Sequence, residues 1–333
     1  MSGKLSLLKQ IINEISKESY YPECPAKSKV TQFFDLVEWC RQRKDFNNFY
    51  KAYGMDLKSY DTKNNDLYFI PREFQPLRNK LNDCPSNQIL LNKFLFYKHM
   101  KKCGLPVPEV YAYMVDGAVF TADEEAVDFE YLRQFSDYFI KDIDGQCASF
   151  VKHIKDFDEL CELKEKLSRG SYLIQERVFQ CEELQKLNPL AINTIRIVTK
   201  KKNGKPEIFA HLLRVGTSIS ENVDNWAAGG LAVNINGNGE LSKYGYYKLQ
   251  YGTKESVHPD TGIVLEGFKV PYFEEAKELV LRAHESLGDL EAIGWDVTAT
   301  TEGVKLIEGN HDFEITLHQM CDGPYKEKWF SFK

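Results

Sequence analysis

The sequence lacks the signatures of several common protein classes. Its eight cysteines form no C-x-x-C pair and no cluster with histidine at the spacing of zinc ligands. No window approaches the roughly 18 apolar residues of a membrane-spanning helix, and the first residues have no long apolar core of a signal peptide. The motif G-x-G-x-x-G and the common serine and cysteine nucleophile motifs are also missing. These absences favour a cytoplasmic protein without a membrane span, kept in a reducing compartment.

The sequence also has fewer basic than acidic residues. The formal net charge is −6, which argues against a nucleic-acid-binding surface. The densest basic run, Lys200 to Lys202, precedes the hairpin turn signal Asn203-Gly204, so we interpret it as a solvated strand end. With 43% hydrophobic and 28% charged residues over 333 positions, the chain can bury one large composite core or form two to three lobes.

The first 85 residues are predicted to be mainly helical and are rich in aromatic side chains. These aromatic residues could cover an acceptor site, mediate dimerisation or complete the core. One stretch has apolar residues at i, i+3, i+4 and i+7, the spacing of an amphipathic helix. Its members are Val30, Phe33, Phe34, Val37 and Cys40. Another helix is predicted over Asn87–Cys103, ended by Gly104 and the prolines that follow.

Beyond Val107 the sequence changes to short apolar runs that alternate with two helical patterns, which is typical of an α+β or α/β fold. Turn signals such as N-G-K and T-E-G separate neighbouring runs by few residues, so much of the sheet should be antiparallel. Besides two strands near the C-terminus, strands are predicted at Glu109–Met114, Tyr138–Lys141, Tyr172–Gln175, Ala191–Thr199, Glu207–Val215 and Gly230–Ile235, and helices at Asp156–Leu167 and Phe273–Leu287.

The two C-terminal runs, I-G-W-D-V and V-K-L-I-E, each carry one carboxylate. If T-E-G is a hairpin loop centred on Glu302, Asp296 and Glu308 lie directly opposite each other. Asn310 then shares a face with Glu308, because side chains alternate along a strand. Opposed like charges are destabilising unless a cation lies between them, and three oxygen donors suit Mg²⁺. The alternative is that Asp296 points outward and that Glu308 and Asn310 form an ordinary polar strand end.

Groups able to bind a nucleotide precede this hairpin. Lys141 ends an apolar strand and is followed by the small-residue loop D-G-Q-C-A-S around Gly145, a combination suited to phosphate. The strand S-Y-L-I-Q-E-R-V runs into Gln175 and Glu176, which could line a purine edge and a ribose. Taken singly, each feature is more simply an ordinary strand end. Their order along the chain is what gives them weight.

A lysine strand with a small loop, a strand ending in Q-E, and a terminal hairpin with Asp, Glu and Asn resemble, in this order, the ATP-grasp superfamily. The segment N-K-F-L-F-Y-K-H-M-K-K-C-G-L-P-V-P looks like its entry element. N-P-L-A-I-N-T-I-R-I-V-T, N-W-A-A-G-G-L-A-V-N-I-N, H-P-D-T-G and I-G-W-D-V with L-I-E-G-N are similar to the sugar-transfer-associated ATP-grasp branch, found with polysaccharide and cell-envelope biosynthesis. The similarity covers about residues 80 to 315.

The resemblance implies an ATP-grasp fold, an α+β architecture in which two lobes grip ATP with a largely antiparallel sheet. It also implies a division of the chain. An N-terminal helical region would cover 1–85 and an ATP-grasp domain 86–333, with a lid-like subdomain at about 105–178 and a catalytic lobe at about 188–333.

The resemblance further implies ATP and Mg²⁺ as cofactors and assigns residues to them. Lys93 and Lys141 would contact the phosphates. The adenine and ribose would be lined by residues of the hinge and its continuation: Gln175, Glu176, Val178 and Glu183. Glu183 would replace a glycine–glutamate ribose contact that F-Q-C-E-E-L-Q-K-L lacks. The Mg²⁺ ligands would be the three hairpin residues Asp296, Glu308 and Asn310.

As a reaction, the resemblance implies that a carboxylate is phosphorylated and that an amine attacks the acyl phosphate, with small-molecule and sugar-linked substrates. Arg196 and Arg214 are candidates to stabilise the transferred phosphoryl group, although each could pair with a structural acid. The alternatives are a small-molecule kinase and a catalytically silent binding module. The oligomeric state stays open, with a homodimer as one alternative.

Overall fold

The computed structural model describes residues 2–144, 150–220 and 223–332. The loop around Gly145, predicted to bind phosphate, therefore lies outside the described residues. The described helices are α1 (Ser2–Ser16), α2 (Lys29–Arg43), α3 (Pro71–Leu81), α4 (Asn87–Leu91), α5 (Lys93–Lys102), α6 (Phe157–Glu162), α7 (Lys164–Leu167), α8 (Glu182–Leu187), α9 (Phe273–Ser286), α10 (Thr316–Asp322) and α11 (Lys326–Ser331). None of them is long and apolar enough to cross a membrane.

The strands of the described ranges form two antiparallel sheets, which confirms the predicted α+β class. The smaller sheet, ordered β3-β2-β1-β6-β4-β5, contains β1 (Val110–Val115), β2 (Ala118–Thr121), β3 (Ala126–Val127), β4 (Tyr138–Asp142), β5 (Val151–Ile154) and β6 (Ser171–Glu176). The larger sheet, ordered β11-β10-β9-β8-β7-β12-β13, contains β7 (Thr194–Lys202), β8 (Lys205–Val215), β9 (Leu231–Ile235), β10 (Leu241–Tyr246), β11 (Lys254–Glu255), β12 (Ala292–Thr300) and β13 (Gly303–Asn310).

The two faces of the larger sheet differ in chemistry. One face packs against α9, where Ile195 and Ile197 of β7 join Ala276 of α9 in the main hydrophobic core. Since side chains alternate along a strand, Thr194 and Arg196 project from the opposite face. This second face carries the polar side chains of the predicted site.

Aromatic residues of the N-terminal region complete a core on the larger sheet. Phe69 and Phe74 pack with Val198 of β7 and with Trp329 of α11. The rings of Phe74 and Trp329 meet edge to face, with their centroids 5.0 Å apart. Completing the core, one of the three roles considered for the N-terminal aromatic residues, is thus a role of Phe69 and Phe74.

Helix α2 forms where the apolar spacing predicts it, but its buried face is a different one. Val30 and Phe34 are 67% and 64% exposed, whereas Leu36 is fully buried and Arg43 is 8% exposed. Arg43 is buried because NH1 donates to the Asn65 carbonyl oxygen at 2.7 Å and NH2 donates to the Tyr68 carbonyl oxygen at 2.9 Å. The buried face is a second stripe that also carries Leu36 and Trp39 at helical spacing, so the face expected from the sequence is largely the solvent face.

The helix predicted over Asn87–Cys103 is two helices, α4 and α5. The chain is extended at Asn92, whose φ is −112° and ψ 113°. The Asn92 side chain accepts the backbone N–H of Leu95 at 2.9 Å and so caps α5. The break makes Lys93 the first residue of α5. The helix predicted over Asp156–Leu167 is also divided, at Leu163, into α6 and α7, although the backbone of Leu163 stays in the right-handed helical region.

The orientation of α2 predicts unequal effects of two substitutions in the same helix. We expect Leu36→Ala to lower the free energy of unfolding by about 2–5 kcal/mol, because it opens a cavity in the core. Phe34→Ala should change it by no more than about 0.5 kcal/mol, because that ring is mostly solvated. Urea unfolding of both variants checks this, and a larger loss for Phe34→Ala would show that the face assignment is wrong.

Candidate active site

The two acids of the C-terminal hairpin lie opposite each other, as predicted, but the loop length and strand pairing that bring them together differ from the prediction. Strands β12 and β13 pair antiparallel, with Asp296 opposite Glu308. The loop holds two residues rather than the predicted three, since Thr300 pairs with Gly303. A β-bulge at Ile307 then adds one residue to β13 and brings the two acids into register.

Asp296 is held by two arginines from neighbouring strands. It is 4% exposed and lies opposite Arg196 of β7. The Arg196 Nε atom is 2.8 Å from Asp296 Oδ1, and Arg196 NH2 donates to Oδ2 at 3.1 Å. Arg214 of β8 places its NH2 atom 3.0 Å from Oδ2. The sequence predicted a bound cation between the two acids, whereas here two guanidinium groups compensate Asp296.

Asp224 is absent from the predicted site, yet it joins this network. Its carboxylate accepts the backbone N–H of Thr194 at 3.0 Å and also the Thr194 hydroxyl, and lies 3.5 Å from Arg214 Nε. Gly230 permits this packing, because a Cβ there would lie 2.7 Å from the Asp224 carbonyl oxygen. The available sequence signal is an acid placed directly before the glycine-containing segment N-W-A-A-G-G.

Arg214 stays charged because acids surround it. Burial works against its charged form, but the carboxylates of Asp224, Asp296 and Glu308 outweigh burial and raise the pKa of Arg214. Burial also raises the pKa of Asp224, against the opposing charge of Arg214. The NH1 group of Arg214 has no hydrogen bond to the part of the chain that the structure describes, and the same holds for NH1 of Arg196.

Glu308 and Asn310 differ from Asp296 in having no bound partner. Neither side chain makes a hydrogen bond or an ion pair with a described residue. Burial, together with the adjacent charge of Asp296, raises the pKa of Glu308. No group of three or more His, Cys, Asp or Glu in the described ranges could hold a metal ion. The predicted set instead combines two carboxylates with an amide, and these oxygen donors fit Mg²⁺.

The charges of two lysines, one on β4 and one on α5, interact with the charge of Glu308. Lys141 of β4 donates to the side-chain oxygen of Gln175 at 3.0 Å. Burial lowers the pKa of Lys141 to about 8; the charge of Glu308 opposes this shift, and the charge of Lys93 adds to it. Lys93 is tied to this sheet by its backbone N–H, which donates to the Ile143 carbonyl oxygen at 3.0 Å. The structure therefore brings Lys93, Lys141 and Glu308 into one neighbourhood.

The remaining predicted nucleotide residues are less closely grouped. Glu176 forms an ion pair with Lys305 of β13, a residue that the sequence reasoning missed. Val178 is buried, at 8% exposure. Glu183 is exposed in the first turn of α8, and no hydrogen bond or ion pair joins it to another predicted site residue within the described ranges.

The chain matches the family model described as sugar-transfer associated ATP-grasp over residues 73–326. The chain belongs to this family. The match confirms the resemblance predicted from the sequence motifs, and with it the ATP-grasp fold. A comparison with curated protein sequences finds no match.

A comparison with solved structures finds partial similarities, all at low sequence identity. ATP-grasp ligase PsnB, complexed with precursor peptide PsnA2 and AMPPNP, is 15% identical at a TM-score of 0.43, covering 75% of this chain and 60% of that chain. N5-carboxyaminoimidazole ribonucleotide synthetase from Thermotoga maritima is 17% identical at a TM-score of 0.39, covering 73% and 48%. The chain thus spans less than two thirds of the length of these solved chains, and the likeness concerns the fold alone.

The arginine pair predicts a large effect of one substitution on stability. Arg214→Met leaves Asp224 and Asp296 partly uncompensated in a buried site, so we expect the free energy of unfolding to fall by about 3 kcal/mol. The matched control is Arg282→Met, on the exposed side of α9, with an expected change within about 0.5 kcal/mol. Equal losses in urea unfolding of the two variants would contradict the assignment.

The shifted pKa of Lys141 predicts a pH dependence of nucleotide binding. Because burial lowers this pKa to about 8, the lysine loses its positive charge as the pH rises through that value. If Lys141 contacts a phosphate, as the sequence predicts, the affinity for a fluorescent ADP analogue should fall between about pH 7 and about pH 9 because this positive charge is lost.

Two variants of Lys141 serve as controls for this dependence. Lys141→Arg should retain its affinity at the higher pH, because a guanidinium stays charged. Lys141→Met should bind weakly at every pH and should not show the fall. An unchanged pH profile in Lys141→Met would mean that another group causes the dependence.

Proposed function

We propose that this protein is an ATP- and Mg²⁺-dependent ligase that joins a carboxylate to an amine, with a sugar-linked molecule as one substrate. The observation that carries this proposal is that Lys93 and Lys141, joined to the smaller sheet, lie near enough to Glu308 for their charges to interact, while Glu308 pairs with Asp296 on the next strand. A nucleotide triphosphate needs cations for its phosphates and oxygen ligands for its metal ion. Membership of a family described as sugar-transfer associated supports the sugar-linked substrate.

In the first half of the proposed reaction, an oxygen of the acceptor carboxylate attacks the γ-phosphorus of ATP. The bond from that phosphorus to the β,γ-bridging oxygen breaks, and ADP leaves with the electron pair. Lys93 and Lys141 would donate hydrogen bonds to phosphate oxygens, which stabilises the charge as it moves. Mg²⁺ held by Asp296, Glu308 and Asn310 would neutralise further phosphate charge.

In the second half, the amine nitrogen attacks the acyl carbon, phosphate leaves, and the nitrogen loses a proton. The uncommitted NH1 groups of Arg196 and Arg214 are suited to orient the acceptor carboxylate and then to stabilise the oxyanion formed on its carbon. Asp296 pairs with both guanidinium groups, so the NH1 group of each arginine is held in place before substrate binds.

The test is an ADP-release screen with MgATP and pairs of one sugar uronate and one amino acid. We expect ADP and phosphate only when both acceptors are present, and a loss of at least about 100-fold in kcat in Asp296→Asn and in Glu308→Gln. The matched control, Glu302→Gln, removes an exposed acid of the hairpin loop and should keep full activity.

Two results would contradict the proposal. A phosphorylated product formed with a single acceptor would identify a small-molecule kinase instead of a ligase. Activity that persists in both Asp296→Asn and Glu308→Gln would remove these acids from the reaction.

A further inference from the structure

A polar cavity that is open to solvent, with a volume of about 490 Å³, lies where β13 ends, beside the carboxylate hairpin. Its lining comes from the end of α3, the start of α4 and the turn after β13. Every lining side chain is polar or charged; they include Arg78, Lys80, Asn82, Asp83, Asn87 and His311. The volume falls within the roughly 300–1,000 Å³ of small-molecule sites, but such sites are usually lined by apolar groups.

The walls of this cavity are anchored to both strands of the hairpin. Asn82 is 1% exposed, and its Nδ2 atom donates to the carbonyl oxygens of Ala292, at the start of β12, and His311, just after β13, each at 2.7 Å. Arg78 is 5% exposed and donates through NH1 to the Phe313 carbonyl oxygen at 2.5 Å. These two buried side chains therefore shape the cavity and fix its position relative to β12 and β13.

Other lining groups stay available to a ligand. The side chains of Lys80, Asp83 and His311 make no hydrogen bond or ion pair with the described residues. Lys80 and Asp83 are exposed, and His311 is partly exposed. The cavity thus offers a cation, an anion and an imidazole, whereas the amide oxygens of Asn79 and Asn87 already accept hydrogen bonds from Arg78 and Gln88.

This mixture of groups excludes three classes of ligand. An apolar molecule would find no apolar side chain to contact. A simple anion such as phosphate would meet the carboxylate of Asp83, and a bare metal ion would meet the ammonium group of Lys80. Hydroxyl groups both donate and accept, and so do amides, so a ligand rich in hydroxyl groups satisfies the whole lining.

The cavity adjoins the proposed site of phosphoryl transfer. His311 directly follows Asn310, the last residue of the proposed Mg²⁺ set. Asn87 is the first residue of α4, the short helix directly before α5, which begins at Lys93. We propose that this cavity binds the polyhydroxylated, carbohydrate part of the acceptor. The inference rests on the proposed function, because it assigns the cavity to a substrate of that reaction.

A direct binding experiment tests the cavity without the reaction. The probes are D-glucuronate, N-acetyl-D-glucosamine and D-glucose, with L-alanine as a zwitterion, observed by saturation-transfer NMR on the full chain. We expect transfer to at least one sugar, reduced about tenfold or more in a Lys80→Ala, Asp83→Ala double variant, because two ligand contacts are lost. The matched control is Lys58→Ala, Asp123→Ala, which removes one exposed charge of each sign elsewhere.

A kinetic experiment separates this inference from the proposed function. For any acceptor found in the ADP-release screen, the double variant at 80 and 83 should raise KM for that acceptor about tenfold. Its kcat and its affinity for the ADP analogue should match those of the control double variant.

The outcomes are distinguishable. Sugar binding that depends on Lys80 and Asp83, in a protein that releases no ADP, would support the cavity and contradict the ligase. ADP release with an unchanged KM in the double variant would overturn the cavity assignment and leave the ligase intact. Binding of L-alanine alone, or of none of the sugars, would also overturn the assignment.

Discussion

The carboxylate of Asp296, held between the guanidinium groups of Arg196 and Arg214, is the interaction on which the cleft depends. The three side chains come from β12, β7 and β8, which are adjacent in the larger sheet, so the ion pairs link three neighbouring strands. Leaving one of three such charges unpaired in a buried site would be costly. Because these charges compensate one another, the sheet can bury polar side chains on one face while its other face packs in the hydrophobic core.

Charge is distributed unevenly across the cleft. The arginines of the larger sheet form ion pairs with Asp296. Glu308 has no ion pair with a described residue, and its charge interacts with those of Lys141 and Lys93. A deprotonated Glu308 is disfavoured by burial, and a protonated Lys141 is disfavoured by the same burial. Each group would therefore gain from a ligand that brings the opposite charge, and magnesium with a triphosphate brings both.

The sequence could predict what depends on periodicity and on the order of motifs. The spacing of apolar runs predicted most strands, and the pairing of Asp296 with Glu308 followed from treating two runs as a hairpin. Side-chain contacts between residues far apart in the sequence could not be predicted. The contact of Asp224 with Arg214 and Thr194 and that of Lys305 with Glu176 each join elements far apart in sequence. Helix α2 buries Leu36 and Trp39 instead of the expected stripe, and Arg43 joins them because backbone carbonyl groups of another segment accept its hydrogen bonds.

The bulge at Ile307 decides the parity of β13. In a regular strand, two residues an odd number of positions apart point to opposite sides, so Lys305 and Glu308 would be separated by the sheet. With one unpaired residue between them, Lys305 lies opposite Thr298 and Glu308 opposite Asp296, and both side chains share one side. One extra residue in β13 thus directs Glu308 away from the apolar interior. The chemistry of the site therefore depends on the number of residues in this strand as well as on their identity.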